Sequence, residues 1–230
     1  HSRRSSELND NGRNSGVQLD GSLSVNNGSL SLSGSGGGMA GGEAVPGSGI
    51  SLANGAEIIL VDSTATVDGN SGLGNSRTPV AGIEGSIFTL EMTRSDLTFN
   101  GQHDQPTEGF HHGIDLRNGS ISGADGSSFF VTGTVSQGDG TGVRLTTMDI
   151  DSSELVINGT SNSLNSNING VVIDDSTIGV NGEDLLITGE APVGLRIADS
   201  AIATTTGTLQ LTANDIELLA GTTLEGDGIL

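Results

Sequence analysis

The sequence predicts an all-β chain, a right-handed parallel β-helix of about seven coils with three short strands in each. Three observations carry this. Seven glycines (Gly16, Gly49, Gly82, Gly113, Gly142, Gly170 and Gly194) each precede an aliphatic residue that opens a strand-like segment, at steps of 33, 33, 31, 29, 28 and 24 residues. A self-similar period of this size, with no helical periodicity inside it, marks a solenoid. Apolar residues alternate with polar ones around each glycine, so one face of each segment is apolar. Finally, a second glycine closes each repeat after a fixed apolar–x–apolar–polar signature.

The opening segments align without gaps over the four C-terminal repeats: Gly113-Ile114-x-Leu116 to Ile121, Gly142-Val143-x-Leu145 to Ile150, Gly170-Val171-x-Ile173 to Ile178, and Gly194-Leu195-x-Ile197 to Ile202. Ile114, Val143, Val171 and Leu195 should therefore stack in one interior column, with Leu116, Leu145, Ile173 and Ile197 in the next. Middle strands are expected near Leu23/Val25, Ile58/Leu60, Ile87/Leu90, Met148/Ile150 and Ile178/Val180. The closing signature reads Leu30–Gly34, Leu97–Gly101, Phe129–Gly133, Leu155–Gly159 and Leu185–Gly189. Ala65–Gly69 is a weaker copy, and in Leu209–Ala213 alanine replaces the glycine. Glycine at these corners is expected to supply backbone conformations that other residues adopt poorly. Parallel crossover connections are right-handed almost without exception, which sets the hand.

The segments between a closing and an opening glycine vary in length: 35–48, 70–81, 102–112, 134–141, 160–169 and 190–193. They read as loops along one edge. A single coil buries too few aliphatic side chains to offset the entropy of ordering its backbone, so coils must stack to be stable. Residues 1–15 lack the pattern and read as a flexible segment; 16–230 read as a single domain, a fragment of a longer solenoid.

Composition narrows the function. The net charge is −20, from 28 acidic residues against eight arginines and no lysine. That opposes binding to nucleic acid or anionic lipid, which needs clustered cations. Such acidity keeps a strand-rich body soluble. Cysteine is absent, so no disulfides hold the coils, and no apolar run is long enough to insert in a membrane as a helix.

The combination Gly-Val-x-Leu, Leu-x-Ile-Asn-Gly and Gly-Val-x-Ile-Asp-x-Ser-x-Ile, over residues 16–230, resembles the repeat region of filamentous-haemagglutinin-type exoproteins. These are bacterial adhesins exported by two-partner secretion, some of which deliver toxins on contact. The resemblance implies a non-catalytic rod, secreted or held at the bacterial cell surface in association with the outer membrane. Its partners would be an outer-membrane transporter during secretion and a protein or glycan receptor on host cells, matrix or other bacteria. A monomer with no cofactor is expected. The Asn-Pro-Asn-type motif of that family's secretion domain is absent; Asn162–Gly170 is only superficially similar.

Candidate sites follow from residue type. The most polar loop, 102–112, holds His103, Asp104, Glu108, His111 and His112, which suit transition-metal ligation but lack a recognised zinc spacing; a surface loop contacting a partner is the stronger expectation. Asn118, Thr147, Asp175 and Asp199 fall at one step of successive coils, and Asp175 and Asp199 could share a calcium ion. On the outer face Asp115 should lie beside Arg144, an ion-pair ladder; no tight cluster of acids around an arginine emerges, as a β-helical polysaccharide lyase or hydrolase would need. The middle residue of the closing strand should face outward. It is Ser31, Thr66 and Thr98, then Phe130, Val156 and Leu186, then Gln210. Those three stacked apolar residues form either an interaction patch or a satellite core beneath a loop. Sequons stand at Asn27, Asn118 and Asn158. The reading is an adhesin fragment without catalysis, with the rod of a contact-dependent inhibition exoprotein and a carbohydrate-active β-helix enzyme as alternatives.

Overall fold

Each apolar–x–apolar segment becomes a strand, and each such strand pairs in parallel with the matching segment one repeat away. The computed structural model describes residues 15–40, 43–45, 47–72, 79–104 and 110–229. Among them the chain is all-β, without a helix. Of the expected flexible segment 1–15, only Ser15 is described, and it is buried.

Three parallel ladders build the solenoid. The opening ladder contains Val17–Leu19, Ile50–Leu52, Ala81–Ser86, Phe110–Arg117, Asp139–Thr146 and Asn169–Asp174. The middle ladder is a separate eight-stranded sheet running from Ser22–Asn26 through Ala56–Val61, Phe88–Thr93 and Ser120–Ala124 to Thr223–Glu225. The closing ladder contains Ser29–Ser35, Thr64–Ser71, Asp96–His103, Ser128–Val135 and Glu154–Ser161. Opening and closing ladders belong to one fourteen-stranded sheet because the Leu185–Ala198 strand serves both. Residues 185–190 pair with Glu154–Ser161, and 194–198 pair with Asn169–Asp174. The connection 190–193, expected as a loop, is too short to leave the sheet and is continuous strand.

The register matches the alignment. Ile114 pairs with Val143, Val143 with Val171 and Val171 with Leu195; Leu116, Leu145, Ile173 and Ile197 form the next column. All eight are fully buried. The middle ladder adds the column Leu23, Ile58, Leu90, Ile121, Ile150, Ile178, Ile202 and Leu224. Phe99 and Phe129 meet edge to face inside the closing ladder, ring centroids 5.4 Å apart.

Ile87 departs from expectation. It is no strand residue but a corner in left-handed conformation (φ 56°), half exposed, and Phe88 takes the inward position. The Phe88 ring fills space vacated by Gly85 and Gly119, where an added Cβ would come within 2.9 and 2.5 Å of it. The same left-handed corner recurs at Asn118, Thr147, Asp175 and Asp199, the step the alignment placed together. Asn and Asp tolerate that conformation; a β-branched Ile is strained in it.

The opening and closing glycines have a different purpose from the one expected. Among the seven opening glycines only Gly194 has a positive φ. The others are needed because two backbones touch there. Gly34 meets Gly49, Gly69 meets Gly82, Gly101 meets Gly113, Gly133 meets Gly142, and Gly159 meets Gly170. A Cβ on Gly133 would sit 2.1 Å from the Gly142 carbonyl oxygen, a distance no real pair of atoms keeps. The core therefore narrows to backbone against backbone along a seam.

The strands continue past this seam, so the connecting loops are shorter than the sequence suggested. Closing strands run on to Ser71, His103, Val135 and Ser161, and opening strands begin as early as Phe110 and Asp139. The 35–48 connection carries a small antiparallel pair, Gly38–Ala40 with Glu43–Val45.

Buried serines satisfy the backbone at the corners. Ser63 N–H donates to Ser95 Oγ at 3.1 Å and Ser95 N–H to Ser127 Oγ at 3.2 Å. Each hydroxyl in turn donates to a carbonyl, Val61, Thr93 and Ala124 respectively. Ser176 and Ser200 do the same at the other corner, accepting from Met148 N–H and Ser176 N–H, both at 3.1 Å.

Two stability measurements check this description. Gly133→Ala should cost about 3 kcal/mol by forcing the seam apart. Gly126→Ala, at an open corner with φ 81° and nothing within 4 Å, should cost only about 1–2 kcal/mol through the left-handed backbone. Equal losses in denaturant melts would mean that the seam is not close-packed. Ser95→Ala should cost about 1–3 kcal/mol, because it leaves the buried Ser63 N–H unsatisfied.

Candidate functional site

The outer face of the closing ladder is a largely polar sheet surface crossed by one short apolar stretch. Strand alternation turns Leu30/Leu32, Leu97/Phe99 and their equivalents inward and the residues between and after them outward. One outward column runs Ser31, Thr66, Thr98, Phe130, Val156, Leu186, Gln210 in perfect register. Phe130, Val156 and Leu186 are half-buried, like Thr66 and Thr98 beside them. They do not join the buried apolar cluster.

Two residues further along each strand lies a second outward column: Ser33, Asp68, Asn100, Thr132, Asn158, Thr188 and Thr212. A third holds Ser35, Asn70, Gln102, Thr134, Thr160 and Glu190. Where these two columns cross the first four strands they line a groove of about 290 Å³. Asn100 Nδ2 donates to Asp68 Oδ1 at 2.8 Å, and Gln102 Nε2 donates to Asp104 Oδ1 at 2.8 Å. Ser136 Oγ also donates to Asp104, at 2.8 Å. The sequence reading missed this groove. Its signal was present: the residue before every closing glycine is a hydroxyl, amide or carboxylate.

The histidines are not where a surface loop would put them. His103, His111 and His112 lie in strands and are buried, which corrects the loop assignment. Asp104 is half-buried just beyond its strand, and Glu108 lies outside the described residues. Beyond the glycine seam the His103 and His111 rings stack with centroids 4.5 Å apart. His103 Nδ1 is 2.6 Å from Ser71 Oγ, and Val80 N–H donates to His111 Nδ1 at 3.4 Å. His103 is in register with Ser71 and Val135, so this is a small second interior of mixed character.

His112 is buried, and its Nδ1 has no hydrogen-bond partner among the described residues. Burial pushes its pKa down to about 4; Asp115 opposes the shift, while Arg144, Arg117 and His111 add to it. Asp115 is in register with Arg144 as expected, but its ion pair is with Arg117, two residues along the same strand. Arg117 Nε donates to Asp115 Oδ1 at 2.9 Å and Nη2 to Oδ2, and this pair raises the arginine pKa further. Glu84 is the in-register neighbour of Asp115 on the other side. With Pro79 and Arg117 the two carboxylates line a cleft of about 240 Å³. Ser48 Oγ donates to Glu84 Oε2 at 2.5 Å.

Asp175 and Asp199 occupy successive exposed corners, with Thr147 Oγ1 donating to Asp175 Oδ2 at 3.3 Å. Among the described residues no three ligating side chains gather around a point. Of the sequons, Asn27 and Asn118 lie at exposed left-handed corners and Asn158 lies in the second outward column. No protein-family model, curated protein or solved structure matches the chain.

The depressed His112 pKa has a definite pH consequence. A base whose pKa falls from 6.5 when unfolded to about 4 when folded binds more protons in the unfolded state between those values. Its contribution to stability is therefore complete above pH 6.5 and is lost as pH falls toward 4. The loss is about 3 kcal/mol at one unit per 1.36 kcal/mol. His112→Gln should flatten that part of the stability–pH curve relative to the wild type, as read from denaturant midpoints across pH 4–7.

Proposed function

We propose that the chain is a non-catalytic binding rod, a fragment of a large secreted bacterial adhesin of the filamentous-haemagglutinin kind. In this reading the solenoid is a right-handed parallel β-helix of about seven coils with three strands in each. Three in-register ladders and the hand of parallel crossovers support that geometry. The rod acts outside the cell or at its surface and attaches to a receptor on host cells, matrix or other bacteria.

One observation carries the functional reading. The outer column of the closing ladder turns apolar at Phe130, Val156 and Leu186 between polar neighbours, and these three stand outside the buried cluster. A contiguous apolar strip on an otherwise polar, acidic surface is the usual mark of an interaction site. The strong negative charge opposes a polyanionic partner.

The enzymatic alternative, a polysaccharide lyase or hydrolase, draws on the Glu84–Asp115 cleft, where two carboxylates stand on neighbouring strands. Both oxygens of Asp115 accept from Arg117 on the same strand, so its carboxylate is already engaged. Glycoside hydrolysis needs two working carboxyl groups, so binding is the better-supported activity. If the chain instead belongs to a toxin-delivery exoprotein, the same face would be its receptor-binding region.

Replacing Phe130, Val156 and Leu186 together with Ser tests the assignment. Attachment to host or bacterial cells should fall at least tenfold while the melting temperature changes little. Unchanged attachment would remove this face from consideration. Release of reducing or unsaturated ends from polysaccharides, abolished by Glu84→Gln, would establish the enzymatic reading in its place.

A further inference from the structure

We infer that the polar groove beside this apolar strip binds a neutral glycan chain lying along the solenoid axis. The inference rests on the reading of the closing ladder's outer face as a binding surface and names its ligand class.

The chemistry of the groove fits hydroxyl groups. Asp68, Asn70, Asn100 and Gln102 present carboxylate and carboxamide groups side by side. A sugar hydroxyl both donates and accepts, and a carboxamide offers one of each within a single planar group. The neighbouring carboxylate adds acceptors without donors. Because Asn100 already donates one N–H to Asp68 and Gln102 one to Asp104, these amides are held in fixed orientations before any ligand arrives. Their carbonyl oxygens and second N–H groups remain for the ligand. Such preorganisation lowers the ordering cost of binding.

The geometry fits a chain and not an isolated small molecule. The groove crosses four parallel strands in register, so equivalent polar groups repeat about every 4.8 Å over roughly 14 Å. That repeat is close to the rise of one pyranose in an extended polysaccharide, and the length matches about three rings. At the C-terminal end of the groove Phe130 lies two residues from Thr132 on the same outward face of one strand. The negative face of its ring suits the polarised C–H groups of a sugar, and the apolar strip begins on the strand where the groove ends.

Charge fixes the class further. Among the described residues Asp68 is the only formally charged one in the groove lining, and no described arginine or histidine lines it. Sulfated or uronate-rich polymers would meet repulsion with nothing to offset it, whereas a neutral chain would not. A peptide adding as a strand is also disfavoured, because a sheet face, unlike an edge, has its backbone groups already paired.

The test is a titration of the whole 230-residue chain, followed by amide NMR, with neutral hexaoses of glucose, mannose and galactose. Heparin and polygalacturonate serve as anionic probes. At least one neutral hexaose should shift the Asn70, Asn100 and Gln102 resonances. Asn100→Ala combined with Gln102→Ala should weaken it at least tenfold without lowering the melting temperature. Absence of binding by every neutral hexaose, equal affinity in the double variant, or preference for the anionic probes would each overturn the inference. The cell-attachment result separates it from the broader reading. Attachment lost in the Phe130, Val156 and Leu186 variant, without hexaose binding by the wild type, would keep the binding rod and discard the glycan.

Discussion

The glycine seam is the constraint on which the rest of this structure depends. Closing and opening ladders approach until Gly101 lies against Gly113, Gly133 against Gly142 and Gly159 against Gly170, with no room for a methyl group between them. Among the described residues this contact divides the turns from Gly34/Gly49 to Gly189/Gly194. On one side lies a dry aliphatic interior fed by all three ladders. On the other lies a small mixed compartment containing Ser71, His103 and His111. The closing strands run on through the seam, and the polar columns on their outer face stay in register across it, while on the opening side the pairing shifts between Asn169 and Val171.

Much of this was legible in the sequence, for a simple reason. The period-two alternation in segments such as Gly142-Val143-x-Leu145 has only one arrangement that buries both apolar residues, and stacking repeats then fixes the register. That logic placed Val143 and Leu145 correctly, together with the outward column from Thr98 to Gln210. It failed where a residue's identity and its backbone conformation disagree. Ile87 looks like a strand residue, yet it occupies a corner that Asn118 and Asp175 fill more naturally, because Phe88 needs the inward place. It failed again at His103, His111 and His112. Alternation is blind to a second interior, and three histidines among Asp, Gln and Glu read as solvent-exposed. The serines at 63, 95 and 127 were equally hidden, since a buried hydroxyl that serves the backbone resembles any loop serine.

The candidate site shows the same division. The apolar strip was visible because it interrupts a column. The adjoining groove was not, because its polar residues do not interrupt anything. Only the register between Asp68, Asn100 and Thr132 shows that they are neighbours. The Asp115–Arg144 expectation had correct geometry and the wrong chemistry. Arg117, although further off along its own strand, grips both carboxylate oxygens, and a bidentate pair outcompetes a lateral contact.

The Leu185–Ala198 strand bears on how the stacked sheets would behave under load. In earlier coils a turn can peel from its neighbour while the connection between ladders pays out slack, as at 136–138 or 162–168; only Thr208–Leu218 shares the continuous build of Leu185–Ala198 among the described residues. Residues 190–193 offer none, because they are themselves strand and link two ladders directly. Tension reaching this point cannot be relieved by one ladder at a time. Two sets of backbone hydrogen bonds must fail together, which makes this turn a mechanical clamp. Upstream turns, with slack in their connections, would lengthen first and shield it, so the C-terminal coils should keep their shape after the N-terminal ones have begun to unravel.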